Sequence, residues 1–270
     1  MTNQFFKPSK ILSQYIDYYY LLETSNISEY SSMHRVYPYG NIILVFHYKN
    51  PFFFQKRDQV ATMEPQTVIC GQQTSYYDLV PSGPIGMIFI VFHPHGARMF
   101  FNIPMNEIKD KNLTYEYIVS NEALIIEEQI QNANCIKDRI IIIENYLTKK
   151  LYQNYCDNKR IAVVMNKINH NKGQISIKYL ANMACLSIKQ FERMFSSFTG
   201  INPKLFLRII RFQNIIKKIN NKGLNDLTQI AYECGYYDQS HFINDFKAIT
   251  DLTPTEYIKK QIYGTNNSPK

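Results

Sequence analysis

The chain has 270 residues, 45% of them hydrophobic and 19% charged, with a net charge of +8, a length that fits about two domains of roughly 100–200 residues each. Residues 1–20 lack the basic start, apolar core and cleavage site of a secretory signal, and no apolar run approaches the ~18 residues a membrane helix needs. The five cysteines are scattered without a C-x-x-C pair, so the expectation is a reduced, cytoplasmic protein with no membrane role, no cofactor and no structural metal.

In chain order, residues 10–22 read as a short helix entering a strand. YGNIILVFHYKN at 39–50 and GPIGMIFIVFHPHG at 83–96 are β-rich apolar runs bounded by Pro and Gly, and PSGP at 81–84 is a turn. His34, Arg35 and Tyr37, with Tyr39, stand just before the first of these runs. They are either a polar loop or the rim of a pocket for an anionic or sugar-like small molecule. His93-Pro-His95 invites a metal reading, but no acidic residue follows within four positions, where Gly96, Ala97, Arg98 and Met99 stand.

From about residue 113 the spacing turns helical. The apolar stripe Leu124, Ile125, Ile130, Ile140, Ile143 and Leu147 packs either on its own β domain or on a second subunit. Residues 150–160 are polar and read as a linker, and 160–262 read as helices throughout. Charge divides at the same place. Residues 160–270 carry 16 Lys+Arg against 7 Asp+Glu, whereas 1–159 carry 14 against 15. A basic second half points to an anionic partner such as nucleic acid.

The basic half contains a duplicated unit. Leu180 and Ala181 correspond to Ile230 and Ala231; Phe191, Phe195 and Phe198 to Phe242, Phe246 and Ile249; Gly200, Pro203 and Phe206 to Asp251, Pro254 and Tyr257. Each copy has a short helix (about 176–184 and 226–234), a tight turn, and a second helix opened by a capping residue, Ser187 or Asp238. The aromatic positions share one face of that second helix. Lys189, Arg193 and Ser196 lie opposite in the first copy, and Ser240, Asn244 and Lys247 in the second. This is the plan of two helix-turn-helix units whose outward stripes carry the donors and acceptors that read base edges. PKLFLRIIRFQNIIKKIN, opened by Pro203, predicts a linking helix of roughly 27 Å at ~1.5 Å per residue. Such a rod suits two helices set in major-groove segments ~34 Å apart. Arg208, Arg211, Lys217 and Lys218 lie along it, where phosphates would pass.

Residues 175–258 resemble the AraC/XylS family of bacterial transcription regulators. The family's strongest motif, A-x-x-x-G-[FY]-x-D-x-S-x-F-x-x-x-F-K, is met by Ala231, Gly235, Tyr236, Asp238, Ser240, Phe242, Phe246 and Lys247. The chain departs from the family at Asp251, where glycine normally closes the second reading helix; a small stability cost is expected there. The resemblance implies base reading by Lys189, Glu192 and Arg193 and by Gln239, Ser240, His241 and Asn244, with Lys178, Ser196, Lys204, Arg208, Arg211 and Lys247 on phosphates. Glu192 either accepts from a base such as cytosine or orients Arg193. RVYPYGNIILVF at 35–46 and GMIFIVFHPHGARMFFNIPMNEI at 86–108 resemble cupin-like β-barrel sensor domains that precede such DNA-binding domains.

The expectation is therefore an α+β, multidomain chain. Residues 1–112 form a cupin-like sensor, 113–157 a helical connector and site of homodimerisation, 158–262 the double helix-turn-helix, and 263–270 a flexible tail. The function expected is sequence-specific binding of double-stranded promoter DNA to regulate transcription, with RNA polymerase and a small-molecule effector as partners, the latter held by His34, Arg35 and Tyr37. No catalytic residue is assigned. Two alternatives remain: a metal-dependent cupin enzyme with a DNA-binding tail, and an architectural DNA binder without sequence preference, which would need only phosphate contacts.

Overall fold

Alternation of apolar residues builds the first half into two antiparallel sheets. The computed structural model describes residues 1–26, 33–154, 156–222 and 227–263, with side chains except at 221–222 and 261–263. Apart from Tyr263, the tail expected at 263–270 lies outside the described residues. The first sheet has six strands in the order β1 (Thr2–Phe6), β2 (Ile16–Thr24), β9 (Ile85–Phe92), β4 (Ile43–His47), β7 (Thr67–Cys70) and β10 (Asn112–Thr114). The second has four, in the order β3 (His34–Val36), β8 (Tyr77–Pro81), β5 (Phe52–Lys56) and β6 (Thr62–Met63). The expected helix entering a strand is a single 3₁₀ turn, Leu12–Gln14, followed by β2. The cupin-like reading holds as a sandwich whose sheets stay open: β1 and β10 are edges of one, β3 and β6 of the other, and three of these four strands have only two or three residues.

Period-two alternation sends the two faces of the larger sheet to different cores. Tyr20, Leu22, Val45, Val68 and Met87 meet Phe52, Phe54, Tyr77 and Leu79 of the smaller sheet. The intervening residues, Tyr19, Leu21, Leu44, Ile69, Ile88 and Ile90, face the helices. There, after the single-turn α1 (Glu116–Val119), α2 (Glu122–Asn132) and α3 (Ile136–Gln153) bury Ile126, Ile130, Ile143 and Leu147, and the Tyr19 hydroxyl donates to Glu144 Oε1 at 2.8 Å. The connector thus packs on its own sheet, while Leu124 and Ile125 of the expected stripe remain exposed.

The second half is α4 (Lys159–His170), α5 (Ile177–Met183), α6 (Ile188–Thr199), α7 (Pro203–Lys222), α8 (Leu227–Glu233), α9 (Gln239–Thr250) and α10 (Pro254–Tyr263). The core that begins on the large sheet continues through Ile161, Val164 and Ile168 into Leu180, Phe191, Phe195 and Phe206. The second unit has its own core of Phe212, Ile215, Ile230, Phe242, Phe246 and Tyr257, against which Tyr37 of the β half packs.

Candidate nucleic-acid interface

The local chemistry that opens the two outward helices is the chemistry the sequence predicts. Ser187 accepts from the Gln190 N–H, and the Gln190 side chain accepts from the Ser187 N–H, a complete capping box. Asp238 Oδ1 accepts from the His241 N–H at 2.7 Å. Both helices end in the left-handed region, α6 at Gly200 with φ 89° and α9 at Asp251 with φ 60°. The left-handed turn that favours glycine is thus kept by an aspartate in the second copy.

Between these ends the faces divide as expected. Phe191, Phe195 and Phe198 are buried in α6, and Phe242, Phe246 and Ile249 in α9. Lys189, Glu192 and Arg193 are exposed on α6 and Ser196 is half-buried; Gln239, Ser240, His241, Asn244 and Lys247 are exposed on α9. No ion pair joins Glu192 to Arg193 among the described residues. Lys178 on α5 and Lys204 at the start of α7 are also exposed. α7 runs for 20 residues, about 30 Å at ~1.5 Å per residue, and one unit packs near each end.

Three of the basic side chains expected along that rod are engaged inside the protein. Arg208 Nη1 and Arg211 Nη2 each lie 3.7 Å from the Asp245 carboxylate on α9, and Arg211 also donates to the Gly173 carbonyl at 3.3 Å. Tyr236 donates to Asp245 at 3.1 Å, and His241 Nε2 lies 3.7 Å from it. Lys218 is ion-paired with Glu233. Asp245 occupies the position of Met194 in the first copy, and a half-buried carboxylate draws cations that would otherwise face solvent. These partners join α7 to α9, and both arginines stay partly exposed beside Asp245.

Tyr237 was missed by the sequence reading. It precedes the cap of α9 and is 92% exposed; its counterpart Leu186 is half-buried. An apolar ring left in water beside a polar stripe was legible only as a mismatch between the copies.

The expected effector residues separate along β3. His34 and Val36 point into a cavity of about 580 Å³ between the sheets. Arg35 points the other way and forms two 2.8 Å hydrogen bonds with Asp78. Tyr37 lies 5.5–6.4 Å, ring to ring, from Tyr257, Phe212 and Tyr76, at the contact with the second unit. The expected trio does not converge, because alternate residues of an extended strand face opposite sides. His93 and His95 stack at 6.4 Å. Among the described residues no three His, Cys, Asp or Glu side chains are grouped as metal ligands, and no helix is long and apolar enough to cross a membrane.

A two-sheet domain followed by two capped helix-turn-helix units defines a class, and comparison with known proteins agrees. Residues 180–260 match a helix-turn-helix domain family, of AraC type, and residues 4–114 match a domain of unknown function, DUF6597. The chain therefore carries an AraC-type helix-turn-helix domain behind a DUF6597 domain. It is similar to the probable transcriptional regulator LumQ of Photobacterium leiognathi, with 31% identity over 88 residues, 33% of this chain and 35% of that one. An HTH-type transcriptional activator, RhaS of Mannheimia succiniciproducens, is 24% identical over 168 residues, 57% of this chain and 62% of that one. The chain spans about a third of the length of the first curated relatives it matches. Among solved structures, ToxT from Vibrio cholerae superposes loosely, with a TM-score of 0.43, 13% identity, and coverage of 89% of this chain and 95% of that one.

Proposed function

We propose that the protein is a sequence-specific regulator of transcription that binds double-stranded promoter DNA in the cytoplasm, without enzymatic activity. In this reading the N-terminal domain senses a small molecule, RNA polymerase is the downstream partner, and the connector pairs subunits. The observation that carries the reading is the duplication of one surface: two capped helices, on one 20-residue rod, each presenting a varied polar stripe. Arg193 supplies a bidentate donor for guanine and Asn244 an amide for adenine, each worth about 1–3 kcal/mol of base discrimination. Lys189, Glu192, Gln239, Ser240 and His241 complete the two stripes, with exposed Tyr237 beside the second. Lys178, Ser196, Lys204, Arg208, Arg211 and Lys247 flank the stripes and supply phosphate contacts.

The test is retention of fragmented genomic DNA by the full chain, compared with an Arg193→Ala, Asn244→Ala double variant. The expected result is a motif of two short blocks about 10 base pairs apart, lost in the variant. Equal, diffuse retention by both proteins, abolished by moderate salt, would leave only phosphate binding and would sink the reading.

A further inference from the structure

The cavity between the sheets has a definite chemistry. Its volume of about 580 Å³ lies in the range of small-molecule sites, ~300–1,000 Å³. Its floor is the inward face of β2 and β9, with Tyr18, Tyr20 and Phe89; its roof is Phe52, Tyr77 and Leu79 of the smaller sheet. We propose that this cavity binds an aromatic small molecule that carries no negative charge. The proposal rests on the sensing role given to this domain above and names the class of ligand it takes.

Charge decides the class. Among the described residues no lysine or arginine side chain lines the cavity, and the charged side chain that does is Asp17. Asp17 is exposed at the rim, at the irregularity where β2 slips against β9 between Ile16 and Tyr18. Such a bulge turns a side chain out of the normal alternation. His34 also lines the wall; burial, ahead of the opposing Asp78 charge, lowers its pKa, so its neutral form is favoured. The Tyr18 phenol is pushed up to about 12 by burial first, then by Asp17, Tyr39 and Tyr20, so it stays a neutral donor. Met1 is half-exposed at the rim, where water screens its charge. An anion entering this space would lose its hydration with no buried cation among the described residues to compensate and would meet the field of Asp17. An aromatic body finds ring faces and edges at the spacing rings prefer, and a cationic substituent finds both phenol faces and Asp17.

Three probes with one ring system test this at pH 7: indole, tryptamine and indole-3-acetate, which are neutral, cationic and anionic. The protein has no tryptophan, so indole emission reports the probe alone. The expected result is blue-shifted, saturable emission for indole and tryptamine, with indole-3-acetate binding at least tenfold more weakly than tryptamine. Asp17→Lys, a substitution at an exposed position, is expected to reverse that order. Leu22→Phe, which narrows the cavity, is expected to weaken binding while DNA retention persists. The proposal is overturned by absence of binding of all three probes at millimolar concentration, by an anion bound as tightly as the cation, or by an order that Asp17→Lys leaves unchanged. A folded Leu22→Phe variant that binds as before also overturns it. DNA selection on the same preparations separates the two readings: DNA recognition without probe binding removes the ligand assignment alone. Probe binding without sequence-specific DNA recognition removes the regulator reading alone.

Discussion

His95 shows how one side chain acquires a property that its place in the sequence only hints at. Its ring is buried, its Nδ1 has no hydrogen-bond partner, and its pKa is lowered to about 4 by burial and then by His93. Above the ordinary value of 6.5 the ring is neutral in both folded and unfolded chains, and it contributes no pH dependence. Between 6.5 and about 4 the unfolded chain takes up a proton that the fold refuses, so stability is lost as pH falls through that window. From pH 7 to pH 5 the loss from this residue is expected to be about 2 kcal/mol. Urea denaturation of the wild type and of His95→Asn at both pH values checks it; equal losses in the two proteins would assign the pH dependence elsewhere. The H-x-H spacing was visible in the sequence, but burial, which fixes the charge state, was not.

Among the elements, α6 and α9 are the same helix built twice, and their differences are informative. The left-handed C-terminal residue is Gly200 in one and Asp251 in the other. A side chain in that conformation costs roughly 1–2 kcal/mol. Here the aspartate has a second occupation: its Oδ1 accepts from Arg57 Nη1 at 2.6 Å, and after burial its hydrogen bond is the largest cause of the raised Tyr76 pKa. Arg57 and Tyr76 both belong to the β half, so the departure from the AraC/XylS pattern ties the end of α9 to the first domain. The Arg57 guanidinium is mostly exposed, and such pairs contribute at most about 1 kcal/mol. Asp251→Gly is therefore expected to raise stability by about 1 kcal/mol or leave it unchanged. Arg57→Ala is expected to be mildly destabilising on its own and silent in the Asp251→Gly background, a coupling that thermal unfolding of the four proteins measures. Additive effects would show that no tie exists.

At the scale of the whole molecule, residues 36–41 work as a seam. Val36, Tyr39 and Asn41 line the cavity, while Tyr37 packs on Phe212 and Tyr257. The Gln213 side chain donates to the Pro38 carbonyl, and Gly40, at φ 86°, lets α7 approach so closely that an added Cβ would lie 3.3 Å from Ile210. One short stretch thus touches both the proposed ligand space and α7, the rod between α6 and α9. The first helix-turn-helix unit shares its core with the large sheet, whereas the second is joined to the β half mainly at this seam. Tyr37→Ala is expected to cost less than the ~3 kcal/mol of a fully buried aromatic and to divide a single calorimetric transition into two, with the second unit melting first. A transition that stays single would show that the seam does not couple the halves.

The parts whose causes are local were legible in the chain alone. Repeat spacing, the caps at Ser187 and Asp238, the buried phenylalanines, the outward stripes and the length of α7 follow from 3.6-residue periodicity and from hydrogen bonds within a few residues. The charge division and the β-rich first half were legible for the same reason. Where long side chains and strand faces find partners came from the packing of distant elements. It brought Arg208 and Arg211 to Asp245, turned Tyr37 away from His34, left the sheets unclosed and enclosed a cavity lined by phenols with Asp17 at its rim. Those outcomes depend on which elements pack together, and electrostatic partners chosen across dozens of residues leave no periodic trace in a single sequence.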